Sequence, residues 1–177
     1  MIKVAGIILK ILSTVMVCTV VILAVLLAGL RLVGLTPYTV LSGSMEPTYH
    51  VGSVIYVKDV DPSDLKVGDP LTFRLTGDVI ATHRIIEIVN EDTAEPSFIT
   101  KGDANDNADG LTPASAVVGK PVFSIPYLGF ISSFVQKPAG LICIVSCTAV
   151  ILLLSSFVDE LYKRSESAKK DETKNNG

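Results

Sequence analysis

Two stretches of this chain, residues 11–30 and 139–158, each run for twenty residues without a charge. A helix needs about 20 apolar residues to cross the hydrocarbon core of a bilayer. Both stretches meet that length, so everything between them must fold as one modest domain tethered to a membrane at both ends. About a hundred residues can bury one hydrophobic core, not two.

The Lys/Arg bias at the flanks sets an expected orientation. Lys3 and Lys10 precede or open the first stretch, and Lys163, Arg164, Lys169, Lys170 and Lys174 follow the second. Only Arg31 and Lys137 lie close to the membrane on the inner side of the two stretches. The positive-inside rule then puts both termini in the cytoplasm and the intervening domain outside the cell membrane. The expected division is a cytoplasmic stub and signal anchor over 1–36, an exported domain over 37–136, a second span over 137–160 and a polar cytoplasmic tail over 161–177. The first apolar region exceeds the roughly 7–15 residues of a cleaved signal peptide, and no small-x-small site follows it. It reads as an uncleaved anchor. The tail from Arg164 onward is too polar to build a core and is expected to lack fixed structure.

Residues 37–136 hold six Lys or Arg against thirteen Asp or Glu, a net charge of −7. Nucleic-acid binding needs a basic face, so that class is excluded. The three cysteines, Cys18, Cys143 and Cys147, all lie in the apolar stretches, which leaves no disulfide framework in the domain. No metal or other cofactor is expected. Asn105-Asp106-Asn107-Ala108-Asp109-Gly110 opens like a calcium loop, but the glutamate required at its twelfth position would be residue 116, an alanine.

The domain reads as mainly β. Runs rich in β-branched and aromatic residues predict strands over Ser53–Lys58, Pro70–Leu75, Val79–Val89, Phe98–Lys101 and Val117–Phe123. Asp61-Pro62-Ser63-Asp64 and Thr76-Gly77-Asp78 are turn signals. Period-2 alternation places His83 on one strand face with Ala81, Ile85 and Glu87, and turns Thr82 and Arg84 the other way. Pro37–Leu41 could present an extended edge to a guest strand. Residues 127–135, with Tyr127, Leu128, Phe130, Ile131, Phe134 and Val135, form an apolar segment suited to the membrane interface, or else a continuation of the core or of the helix.

Three segments carry chemistry. Thirteen residues, 31–43, separate the first apolar stretch from Ser44 in Ser42-Gly43-Ser44-Met45-Glu46-Pro47-Thr48. One of the two histidines follows in Thr82-His83-Arg84, and then the acidic loop Lys101-Gly102-Asp103 through Asp109. A serine hydroxyl is a weak nucleophile until a base takes its proton, and an imidazole base needs a third group to hold its tautomer. The three segments supply one of each. Thirteen residues reach at most about 43–47 Å, so the serine segment stays near the bilayer.

The motifs Ser42–Thr48, Gly68-Asp69, Thr82-His83-Arg84 and Lys101-Gly102-Asp103 with Asp109 together resemble the type I signal peptidases. The similarity is to the ER-type branch of some Gram-positive bacteria, archaea and the eukaryotic signal peptidase complex, and it covers about residues 37–125. The resemblance implies a mainly β catalytic domain flanked by two transmembrane helices. It implies Ser44 as nucleophile and His83 as general base, where the other main branch uses a lysine. A free imidazole titrates near pH 6.5, so it accepts a proton at neutral pH without the desolvation a lysine needs. Asp109 is the first choice of orienting carboxylate, Asp103 the second and Asp106 the last. Ser42 and the Ser44 backbone N–H would form the oxyanion hole, with Gly43 permitting their close approach. His50 is read as a surface or interfacial residue. The implied activity is removal of signal peptides from exported preproteins after small residues at −3 and −1. The implied partners are those preproteins, the lipid bilayer and the export translocon. Two other functions compete: an inactive anchored assembly or binding protein of the same fold, and a self-cleaving serine peptidase. Incubation with a preprotein separates the three.

Overall fold

The computed structural model describes residues 2–75, 77, 79–90 and 95–175. The chain forms two compact units, Leu27–Ser133 and Met1–Leu26 with Phe134–Gly177.

The second of these units holds helix α1, Ile2–Leu27, and helix α3, Pro138–Asn175. Gly6–Leu27 and Pro138–Arg164, with mean hydropathies of 2.6 and 2.7, are each long and apolar enough to cross a membrane. Lys10 therefore lies inside the first candidate span, and it pairs with Asp159 of the second at 3.0 Å. The backbone of α3 stays helical to Asn175, across the stretch expected to lack fixed structure. Ala, Lys and Glu in Ser165–Lys174 are good helix formers, and a helix already nucleated upstream extends at low cost.

The unit Leu27–Ser133 is built on seven strands: β1 Leu35–Thr39, β2 Val54–Lys58, β3 Pro70–Arg74, β4 Ile80–Val89, β5 Ser97–Lys101, β6 Leu111–Pro113 and β7 Val117–Ile125. They lie in the order β1-β2-β7-β3-β4-β5-β6, and every neighbouring pair is antiparallel. Leu65, Leu71, Phe73, Ile85 and Phe98 form the core, with Val60, Ala81, Ile88 and Val117 packed on it. Such β-branched and aromatic side chains fit a pleated, half-buried surface. On the other wing, Val54, Ile55, Tyr56 and Val57 are buried, and Tyr56 stacks on Phe123 with centroids 4.6 Å apart. Pro121 lies inside the central strand β7, beside a register shift against β2. A missing N–H is tolerated at such an irregularity.

The fold is mainly β, as read from the sequence, with three differences in detail. Strands β1 and β6 join the five expected; β6 is three residues long, too short for a periodic signal. The expected turn at Thr76-Gly77-Asp78 falls partly on Thr76 and Asp78, outside the described residues. The apolar segment after β7 forms helix α2, Leu128–Val135, burying Leu128, Gly129 and Ser132 and exposing Phe130, Ile131 and Phe134. Finally, Glu87 does not share the face of His83. Ile85 pairs with Thr100 and Glu87 with Ile99, so Ile86 bulges out of the ladder. A one-residue bulge flips every later side chain. Ile88 packs on the core instead, and Glu87 is exposed.

Candidate active site

Ser44 lies in the turns that follow β1. The neighbouring Met45 is buried, which fixes the segment against the domain. The Ser44 carbonyl accepts from Ala104 N at 2.9 Å, tying this segment to the acidic loop. The loop approaches so closely that a β-carbon at Gly102 would lie 2.6 Å from the Ser44 oxygen and 2.7 Å from Asn105 Nδ2. The acidic loop's close approach therefore requires a glycine at Gly102. At Gly43, expected to let Ser42 and the Ser44 N–H approach each other, a β-carbon would have ordinary room, meeting Glu46 Cγ at 3.4 Å.

His83 sits in β4 opposite Leu71 of β3, on the core-facing side, with Phe73 edge-on to its ring at 6.1 Å. Its Nε2 is 3.1 Å from Ser44 Oγ, and its Nδ1 is 2.5 Å from Asp109 Oδ2. An ionised carboxylate only accepts, so Nδ1 donates to Asp109 and the neutral ring leaves Nε2 to accept the Ser44 hydroxyl. The histidine side chain is 14% exposed and that of Asp109 28%. Asp109 is held in turn by Thr100, whose hydroxyl donates to Oδ2 at 2.7 Å and whose carbonyl accepts from Asp109 N at 2.7 Å. Ser42 Oγ lies 3.5 Å from Ser44 Oγ.

The remaining charged candidates go elsewhere. Asp103 accepts from Arg84 through both oxygens, Nε to Oδ1 at 2.8 Å and Nη2 to Oδ2 at 2.7 Å, and from Thr48 Oγ1 at 2.5 Å. The Arg84 hydrogen bonds hold the Asp103 carboxyl below the usual carboxylate range against the opposing effect of burial, and the same pairing raises the Arg84 guanidinium. Arg84 Nη1 also donates to Gly68 O at 2.8 Å, so this cluster joins the Gly68-Asp69 turn, Thr48 and the acidic loop. Next to it, Asp69 pairs with Lys120 at 2.6 Å. Asp106 is exposed. His50, 64% exposed, bonds through Nδ1 to Glu46 at 2.5 Å, and that bond lowers the Glu46 carboxyl. The structure thus brings Ser42, Ser44, His83 and Asp109 together, and it places Asp103 beside them on Arg84. Sequence reasoning did not single out Thr48 or Thr100. The signal for Thr100 was a threonine alternating with Phe98 on an inward strand face.

A groove of about 700 Å³ opens beside Ser44. Tyr38, Val40, Leu41, Val79, Ile80 and Thr82 are among the residues that line it. Strand β1 is a sheet edge. Val40 turns its N–H to Ser53 O and its C=O to Gly52 N, towards β2. Alternation then directs the backbone groups of Thr39 and Leu41 outward, and puts Pro37, which has no N–H to offer, at an outward position too.

Residues 12–94 match the family described as signal peptidase, peptidase S26; Ser42, Ser44 and His83 lie inside that stretch, and Asp103 and Asp109 beyond it. The chain is 41% identical over 98 residues to signal peptidase I W of Bacillus subtilis (strain 168), covering 55% of this chain and 48% of that protein. It is 32% identical over 102 residues to the signal peptidase complex catalytic subunit SEC11C of Homo sapiens, covering 52% and 53% respectively. The match to the putative human catalytic subunit SEC11B is 31% over 110 residues, covering 57% and 66%. The chain spans about half the length of the first two relatives. These matches are all to the peptidase S26 signal peptidase family, over about half of this chain.

Proposed function

We propose that this protein is a membrane-bound serine endopeptidase that removes N-terminal signal peptides from exported preproteins after small residues at −3 and −1. The observation that carries the reading is the hydrogen-bonded series from Ser44 Oγ through His83 to Asp109, at 3.1 and 2.5 Å. Ser44 attacks the scissile carbonyl while His83 Nε2 takes its proton. Asp109 holds the tautomer and stabilises the imidazolium that forms. The Ser44 N–H and the Ser42 hydroxyl donate to the oxyanion of the tetrahedral intermediate. His83 then protonates the leaving amine, and water releases the acyl group by the same route in reverse. Asp103, engaged by Arg84, shapes the loop that carries Asp109.

The substrate lies extended in the groove and adds to the outward backbone groups of Thr39 and Leu41, as guest strands do at a sheet edge. The two candidate spans and the family support a membrane location. In this reading both termini are cytoplasmic, residues 37–136 face outward, and the export translocon delivers the preprotein to them. Eukaryotic relatives carry the name of a complex subunit.

The test is cleavage of a defined preprotein by membranes carrying the wild type or Ser44→Ala. The wild type should cut and the variant should not, with both inserted equally. Binding without cleavage by the wild type would favour an anchored assembly protein, and loss of its own chain length would favour self-cleavage.

A further inference from the structure

Along β5 the side chains alternate, and Phe98 and Thr100 both point inward, each 0% exposed. Phe98 is an ordinary core residue. Thr100 differs, because a buried hydroxyl is unfavourable unless it is bonded, and a valine of the same shape would fill the space. The Thr100 hydroxyl donates to Asp109 Oδ2 at 2.7 Å, the oxygen that also accepts from His83 Nδ1 at 2.5 Å. Its carbonyl accepts from the Asp109 N–H at 2.7 Å. One residue thus grips Asp109 by main chain and by carboxylate. Thr100 itself is fixed by its pairing with Ile85, two residues along β4 from His83.

We propose that Thr100 is a positioning residue that aims the Asp109 carboxylate at His83. The inference rests on the Ser44–His83–Asp109 reading given above. An aspartate carboxylate turns readily about its terminal torsion and offers several lone pairs. Asp109 is 28% exposed, so water can compete for those lone pairs. A donor buried away from water holds one orientation that solvent cannot displace. The shared oxygen stays an acceptor, which keeps the proton on His83 Nδ1 and leaves Nε2 for the serine. Thr100 touches no reacting atom and acts only through Asp109.

Two substitutions separate the hydroxyl from the packing. Thr100→Val keeps the volume and loses the hydroxyl; Thr100→Ser keeps the hydroxyl and loses a methyl group. With full-length protein in liposomes and a defined preprotein, Thr100→Val should lower kcat by about ten- to a hundredfold, the range set by one hydrogen bond to a charged group. KM should stay within about twofold, and Thr100→Ser should recover most of the rate although its core is less full. Added to Asp109→Asn, Thr100→Val should cost little more, because residues acting through one group are not additive. Wild-type kcat in Thr100→Val beside an inactive Ser44→Ala would overturn the role of Thr100 and leave the serine reading standing. Equal defects in the Val and Ser variants would also overturn it, since packing would then explain both. Wild-type cleavage by Ser44→Ala would instead overturn the serine reading itself.

Discussion

Arg84 clasps Asp103 at two points, Nε to Oδ1 at 2.8 Å and Nη2 to Oδ2 at 2.7 Å. Such a planar fork is a geometry that lysine cannot reproduce. The pair sits on the strand that also carries His83, one residue away, and on the loop that leads to Asp109. It therefore joins the base to the segment that orients it.

Acid should loosen this join. The Asp103 carboxyl is lowered by Arg84, so its contribution to stability is complete above the ordinary aspartate value of about 4 and is lost as pH falls through the lower folded value. Arg84 is 32% exposed, and water screens part of the interaction. Asp103→Asn should destabilise the domain by roughly 1–2 kcal/mol at pH 7. Urea melts at pH 7 and at pH 2–3 should show the difference between wild type and variant shrinking with acid. An unchanged difference would remove the pair as its cause.

Asp109→Asn should act on rate. The amide can no longer serve as a charged acceptor for Nδ1, and loss of an orienting carboxylate in this arrangement costs on the order of 10³–10⁴ in kcat. Protein level should change little, and Asp106→Asn should be silent. Cleavage rates normalised to folded protein decide between them. Full activity in Asp109→Asn would leave a Ser–His dyad.

The two histidines should separate cleanly. His83→Ala and His83→Lys should both lose activity, the latter because a lysine base needs its charge suppressed by burial. His50→Ala removes only an exposed bond to Glu46 and should keep near-wild-type cleavage. The reverse pattern would mean that His50 is the base.

Gly102→Ala tests the contact between the serine segment and the acidic loop. Its β-carbon would fall 2.6 Å from the Ser44 carbonyl oxygen, which is backbone and cannot swing aside. A loss of roughly 1–3 kcal/mol in stability is expected, as for overpacking elsewhere, together with slower cleavage. Gly43→Ala should be the milder of the two. Thermal melts and single-turnover rates on both variants give the comparison.

Topology has its own test. Protease added outside protoplasts should digest residues 37–136 and spare an epitope on the tail. Cutting of the tail from outside would invert the orientation drawn from the positive-inside rule.

What the sequence could convey depended on range. Strands β2, β3, β4, β5 and β7 show in local composition because each is rich in β-branched and aromatic residues. The three residues of β6 are too few for a pattern, and β1, five residues long with a proline inside it, reads only as an extended edge. Alternation along β4 holds from Ala81 to Ile85 and then fails at Ile86, because a bulge leaves no local mark in residue type. Motifs name Ser44, His83, Asp103 and Asp109 but not who bonds whom. Asp109 meets His83 across 26 residues, and Arg84 meets Asp103 across 19. Those distances are closed by the β4–β5 register and by the turn after β5, neither of which any short window contains. The same holds for Gly43 and Gly102: both flank the serine segment in space, but only the packed loop reveals which one must lack a side chain.

The outward edge of β1 has a consequence for how the protein coexists with its neighbours. An unpaired strand invites other chains indiscriminately, and long flat edges nucleate aggregates. Here the edge is only five residues long, and Pro37 removes an N–H from its outward side. What is left can hold a short stretch of extended polypeptide briefly, yet is too broken to template stacking of copy upon copy. In the proposed reading, such an edge can take one substrate after another and let each of them go.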